Sequence, residues 1–142
     1  MELTVKQISS LHKIRSTDSL DMPRLDSKTC LMGERFSYQI CLKSRDQLIA
    51  DVAVESDLAE HIQLYRVREA NMDYPMYPDN PEEDYIPLSP GPMPDILVPL
   101  AEENNRMIVH DTPGTVWVKA DIPKDCKPGN YTVKVTFSFR KP

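Results

Sequence analysis

Two stretches near the C-terminal end of the chain alternate apolar and polar side chains with a period of two, and this pattern restricts the fold more than any other feature. Val116, Val118, Ala120 and Ile122 share one parity against Thr115, Trp117, Lys119 and Asp121. Tyr131, Val133, Val135, Phe137 and Phe139 then alternate with Thr132, Lys134, Thr136, Ser138 and Arg140. Alternation of this kind gives a strand one buried face and one wet face, the habit of antiparallel sheets. The same reading applies to Leu3 and Val5 against Thr4 and Lys6. It also applies to Phe36, Tyr38, Ile40 and Leu42 within Arg35–Lys43, and to Leu48, Ala50, Val52 and Val54. Leu11–Arg15 is a weaker stretch. Between His61 and Glu69 the parity changes, with Ile62 and Leu64 on one side and Tyr65 and Val67 on the other. That change predicts either a β-bulge or a strand covered on both faces. Asp57–His61 is long enough for one helical turn.

Proline sharpens the choice of fold. The 142 residues hold thirteen prolines and four glycines, where average usage predicts about seven prolines. Proline removes a backbone donor and breaks helix interiors, which excludes an all-helical bundle. Eight prolines (75, 78, 81, 87, 90, 92, 94 and 99) fall between Ala70 and Arg106, where eight acids face the single base Arg106. The chain's net charge of −5 is therefore −7 on this stretch and +2 on the remainder. The expected architecture is all-β: one domain over residues 1–142, an immunoglobulin-like antiparallel β-sandwich with one long acidic, proline-rich connection over 70–106. Pro128 and Gly129 suit the two central positions of a type II turn. Tyr131, just after that turn, matches the tyrosine corner of such sandwiches, in which the hydroxyl bonds back to nearby backbone.

Composition also bounds function. An acidic chain is a poor nucleic-acid binder, because such proteins present a basic face. No apolar run approaches the ~20 residues that span a bilayer. Met1–Lys6 lacks the apolar region of a signal peptide, and Cys30, Cys41 and Cys126 leave at least one thiol free in a monomer. Both features favour a cytoplasmic setting. His12, His61 and His110 have no metal-ligand spacing, and glycine-rich phosphate loops and nucleophile elbows are absent. No metal or other cofactor is expected.

The chemistry-bearing candidates are few. Glycoside hydrolysis needs two carboxyl groups facing each other across the scissile bond, about 5–9.5 Å apart. Glu82-Glu83-Asp84 and Glu102-Glu103 supply carboxylates, but in polar loop settings that favour a solvated acidic surface. Asp79, Asn80, Glu82, Glu83 and Asp84 offer oxygen ligands for calcium without the spacing of a known loop. No catalytic residue is assigned. Tyr74, Tyr77 and Tyr85 stand among prolines and acids, where they can pack the long connection onto the sheet or stack on sugar rings. Trp117 sits on the parity opposite Val116 and Val118, which predicts either cover by the long connection or a docking patch.

Three motifs in order resemble a known family. Gly33-Glu34-Arg35-Phe36-Ser37-Tyr38-Gln39 resembles the N-E-x-x-x-x-Q strand of the N-terminal β-sandwich domain of family 123 glycoside hydrolases and their uncharacterised bacterial relatives. Met93-Pro94-Asp95-Ile96-Leu97-Val98-Pro99-Leu100 is similar to that domain's x-P-D-x-L-x-P-L segment. Trp117–Pro123, continued by Pro128-Gly129-Asn130-Tyr131-Thr132, is similar to its ending. The resemblance covers Leu3 to Phe139, with Gly33 standing where the family has asparagine. It implies a sandwich followed by a (β/α)8 barrel. In the family the barrel carries an adjacent Asp-Glu pair that hydrolyses β-linked N-acetylgalactosaminides with help from the substrate's acetamido group. Such a barrel needs about 200 or more residues, so no catalytic residue transfers to this chain. The expected role is a non-catalytic accessory domain whose partner is the C-terminal barrel of the same parent chain. A free-standing carbohydrate-binding module using the three tyrosines and Trp117, and a protein-interaction sandwich, are the alternatives.

Overall fold

A computed structural model describes residues 2–73 and 90–142. Its strands are β1 (Leu3–Ser9), β2 (Arg35–Ser44), β3 (Leu48–Glu55), β4 (Ile62–Met72), β5 (Gly91–Pro99), β6 (Arg106–Val109), β7 (Gly114–Asp121) and β8 (Lys134–Arg140). Short 3-10 turns at Ala59–His61 and Leu100–Glu103 are the helical pieces among the described residues. The strands form two antiparallel sheets, a five-stranded one ordered β1-β2-β7-β4-β5 and a three-stranded one ordered β6-β3-β8. The sandwich expected from the alternation is present. Tyr38, Ile40, Leu42, Val116, Val118, Ala120 and Ile62 of the large sheet form one buried cluster with Ala50, Met107 and Val109 of the small one. The half-buried Val135, Phe137 and Phe139 of β8 pack against that cluster.

Several expectations change. The acidic stretch 70–106 is not one connection. β4 runs on to Met72, β5 occupies Gly91–Pro99, and the Leu100–Glu103 turn leads to β6. Prolines 92, 94 and 99 hid β5 from the sequence reading. They are tolerated because β5 is an edge strand, paired only with β4, and a missing N–H on the open side breaks no ladder bond. A bulge does occur in β4–β5, at Arg68/Glu69, but the parity change at Leu64–Tyr65 precedes it. There Ile62 and Leu64 face the small sheet, while Tyr65 and Val67 are half-buried on the outer face.

Leu11–Arg15 forms no strand. It belongs to a segment that crosses the outer face of the large sheet, where Ile14 and Leu20 bury against Ile8 and Cys41 in a second small core. Three polar side chains pin the crossing. Gln39 Nε2 donates to the carbonyls of Ser9 (3.1 Å) and His12 (2.8 Å). Lys6 Nζ donates to the Leu20 carbonyl at 2.6 Å. Lys13 Nζ donates to the Pro94 carbonyl at 2.8 Å and pairs with Asp95 at 3.2 Å.

The Pro128–Gly129 type II turn does not form, because Gly129 is not among the residues of positive φ. The Lys127 carbonyl, which such a turn would close with the Asn130 N–H, instead accepts the Tyr131 hydroxyl at 2.7 Å. The tyrosine's bond back to local backbone is thus present without the turn. β8 starts at Lys134, after Tyr131–Val133.

Gly33 enters β2 in the left-handed region, at φ 74°. Its N–H donates to Pro123, and an added Cβ would lie 3.2 Å from Lys124 Cγ. Gly33→Asn should leave the urea midpoint nearly unchanged, since asparagine visits this region readily. Gly33→Val should lower stability by about 1–2 kcal/mol. Equal midpoints for the two variants would contradict the backbone argument.

All three cysteines are free, and Cys41 is fully buried. Burial pushes the Cys41 thiol from its ordinary value near 9 up to about 11, against a weaker opposing hydrogen bond from Thr115. Its pKa is higher folded than unfolded, so its contribution is complete below pH 9 and is lost as pH climbs from 9 towards 11. Urea midpoints should fall across that interval, and a Cys41→Ala variant should show a flatter decline. A thiol reagent should label Cys30 and Cys126 in the native protein and reach Cys41 only on unfolding.

Candidate functional site

Residues paired directly across neighbouring strands share a face of the sheet. One such row crosses the outer face of the large sheet: Ile8, Gln39, Trp117, Tyr65 and Pro99. It joins the three motif stretches, which lie far apart in sequence. At the β1 end the row is roofed by the crossing segment, which leaves Gln39 only 3% exposed. At the β4 end it opens, and Trp117 and Tyr65 are half-buried. Lys119 lies in the next row, with its Nζ 5.5 Å from the centre of the Tyr65 ring. The Tyr65 hydroxyl donates to Gln63 Oε1 at 2.7 Å. Beyond them Arg35 pairs with Asp121 at 2.6 Å, and Lys119 approaches the same carboxylate at 3.7 Å. The Arg35 guanidinium holds the Asp121 carboxyl below its usual range. The result is a shallow step: a wall made by the crossing segment, and a floor of two aromatic rings edged by charges. Such a floor can take the apolar face of a ligand or of another protein domain, with hydrogen bonds at the margin.

Of the sequence candidates, Trp117 lies on this floor. Tyr74, Tyr77 and Tyr85 lie outside the described residues, as do Asp79, Asn80, Glu82, Glu83 and Asp84. Tyr65, Lys119 and Gln63 were missed as members of the floor. For Tyr65 and Gln63 the only sequence signal is the parity change within β4, more than fifty residues from Trp117, whereas Lys119 shares the parity of Trp117 two residues along β7.

Glu103 departs from its reading as a solvated carboxylate. Its side chain is 17% exposed and lies between Arg66, at 3.4 Å, and Arg68. Those two guanidiniums make it the clasp between β4 and the Leu100–Glu103 turn. It is therefore engaged in the fold, and neighbouring Glu102 is exposed. Among the described residues, no group of three or more His, Cys, Asp or Glu is placed to hold a metal ion.

The strand ends also define a face. β2 turns into β3 at Ser44–Leu48, β4 and β5 part at Met72 and Gly91, and β8 brings Arg140 opposite Ile49. All of these lie at one end of the sandwich. Tyr74, Tyr77 and Tyr85 are bracketed in sequence by two of them.

No protein-family model matches the chain, and no curated protein matches it in sequence. Among solved structures, the chain is similar to a family 123 glycoside hydrolase from Clostridium perfringens, whose structural analysis addressed glycolipid glycan hydrolysis. The TM-score is 0.72 at 15% identity, and the match covers 98% of this chain but 25% of that one. The chain thus spans about a quarter of that enzyme's length, and the shared feature is the fold.

Proposed function

We propose that this chain is a non-catalytic accessory domain of a glycoside-hydrolase-like protein, standing N-terminal to a (β/α)8 barrel that it braces. The Tyr74–Tyr85 stretch would help to shape one side of the barrel's substrate cleft. The observation that carries this reading is the asymmetry of the structural match: nearly all of this chain against a quarter of a hydrolase chain. The resemblance of the three ordered motifs supports it independently. The geometry is compatible, because β8 runs out at the end of the sandwich where β4 and β5 part. A following domain would then meet the 73–90 connection at its roots. The Trp117–Tyr65 floor supplies a lateral contact for the same domain.

A second reading is favoured by one observation. Two aromatic side chains side by side on an open sheet face, with amide, ammonium and carboxylate groups around them, suit stacking on a sugar ring. In that reading the chain is a carbohydrate-binding module acting through Trp117, with Tyr74, Tyr77 and Tyr85.

The parent protein and a form lacking residues 1–142 separate these readings on a chromogenic β-N-acetylgalactosaminide. For an accessory brace, the isolated chain shows no turnover. The truncated parent loses thermal stability, and Trp117→Ala lowers the Tm of the parent more than that of the isolated chain. Turnover by the isolated chain, or a native reading frame that stops at Pro142, sinks the brace. Glycan binding by the isolated chain, lost in Trp117→Ala and Tyr77→Ala, establishes the second reading.

A further inference from the structure

The path from β5 through Leu100–Glu103 to β6 carries the chain from one sheet to the other and leaves two strand edges open. β5 pairs with β4 no further than Tyr65, opposite Pro99, so Ile62, Gln63 and Leu64 are paired only on the β7 side. β6 pairs with β3 as far as Asp51, and the last bond on that side runs from the Val52 N–H to the Asn105 carbonyl at 2.8 Å. Ala53, Val54 and Glu55 are then laddered only to β8. Between these edges lies a groove of about 460 Å³ whose walls include Val52, Val54, Ile62, Leu64, Pro99 and Ala101.

Backbone direction alternates along a strand. Val52 points its N–H at β6, so Val54 directs both its N–H and its C=O into the groove. An unpaired strand edge is a template for a further strand, and an apolar groove beside it selects side chains at alternate positions. Charge narrows the occupant. Asp57, Glu60 and Glu102 are exposed, lie within three residues in sequence of the lining residues Val54, Ile62 and Ala101, and form no ion pair among the described residues, whereas Glu55 is matched by Lys134 at 3.6 Å. The chain flanking the groove is thus acidic in sequence, and the lining is mainly apolar, with Gln63 and Asn105 as its polar members.

We propose that this groove accepts an extended peptide segment with apolar side chains at alternate positions and basic residues at its ends, which adds as a strand to β3 beside Val54. The segment continues the line of β6, exchanges hydrogen bonds with Val54, and sets its apolar side chains on Ile62 and Leu64. The groove shares Gln63, Tyr65 and Pro99 with the margin of the Trp117 row, but the open edge at Val54 belongs to the small sheet and is no part of that row, so the proposal does not rest on the brace reading.

The probe is a short synthetic peptide of alternating valine and threonine with paired lysines at both ends, titrated into the isotope-labelled full chain and followed by amide NMR. The amides of Val52–Glu55 and Ile62–Leu64 should shift together. Glutamates in place of the lysines should weaken binding about tenfold, a loss of ~1.4 kcal/mol. N-methylation of alternate amides on the bonding edge should abolish binding. Ala101→Trp should fill the groove and block binding, while Ser138→Trp, on the outer face of β8, should leave it intact. The proposal is overturned if no binding appears at millimolar peptide, or if the shifts map to β8 or β1. It also fails if the N-methylated peptide binds as well as its parent. Should Ala101→Trp fail to fold, the methylation and mapping results decide the matter alone.

Discussion

Five consecutive residues of β2, from Tyr38 to Leu42, are each at most 6% exposed, and the rest of the molecule is arranged around that fact. A strand buried on both faces needs an apolar cover on each side and a partner for every polar group. The small sheet covers one face through Ala50, Met107 and Val109. The crossing segment covers the other through Ile14 and Leu20. Gln39, the polar side chain in this run, is satisfied by the Ser9 and His12 carbonyls. Burying such an amide unpaired would cost on the order of 1–3 kcal/mol. The same two bonds therefore remove that penalty and fix the path of the crossing segment. That path is what leaves Trp117 and Tyr65 standing beside a wall.

Much of this was legible beforehand where the cause is local. β2, β3 and β7 lie close to their expected positions, because period-two alternation reports a one-sided core directly. The Tyr131 hydroxyl bond was legible for the same reason: donor and acceptor are four residues apart. What stayed hidden depends on position within the sheet. Proline argues against a strand unless the strand lies at an edge, and nothing local announces that β5 does. Cys41 and Gln39 share the parity of Arg35 and Lys43, so alternation alone assigns them to water. Only a distant loop returning over the sheet buries them.

The motif residues acquire physical meanings that need no ligand. Gly33 occupies a left-handed position where asparagine is the next most comfortable residue. The Glu34 carboxylate accepts the Leu31 N–H at 2.7 Å and steadies the turn before β2. Gln39 holds the crossing segment. Pro94 offers Lys13 its carbonyl, and Asp95 offers its carboxylate. A shared motif can thus report a shared scaffold.

The sheet order carries a further consequence for how the chain is made. β7 is inserted between β2 and β4, and β8 closes the small sheet on β3. Both strands come from the final thirty residues or so of the sequence. As the polypeptide emerges from the ribosome, the β1–β2 and β4–β5 pairs therefore wait side by side with their inner edges unsatisfied. Non-local pairings of this kind are slow to form. A nascent chain halted before Gly114 presents two strand edges with unpaired N–H and C=O groups, the kind of edge that pairs with other chains.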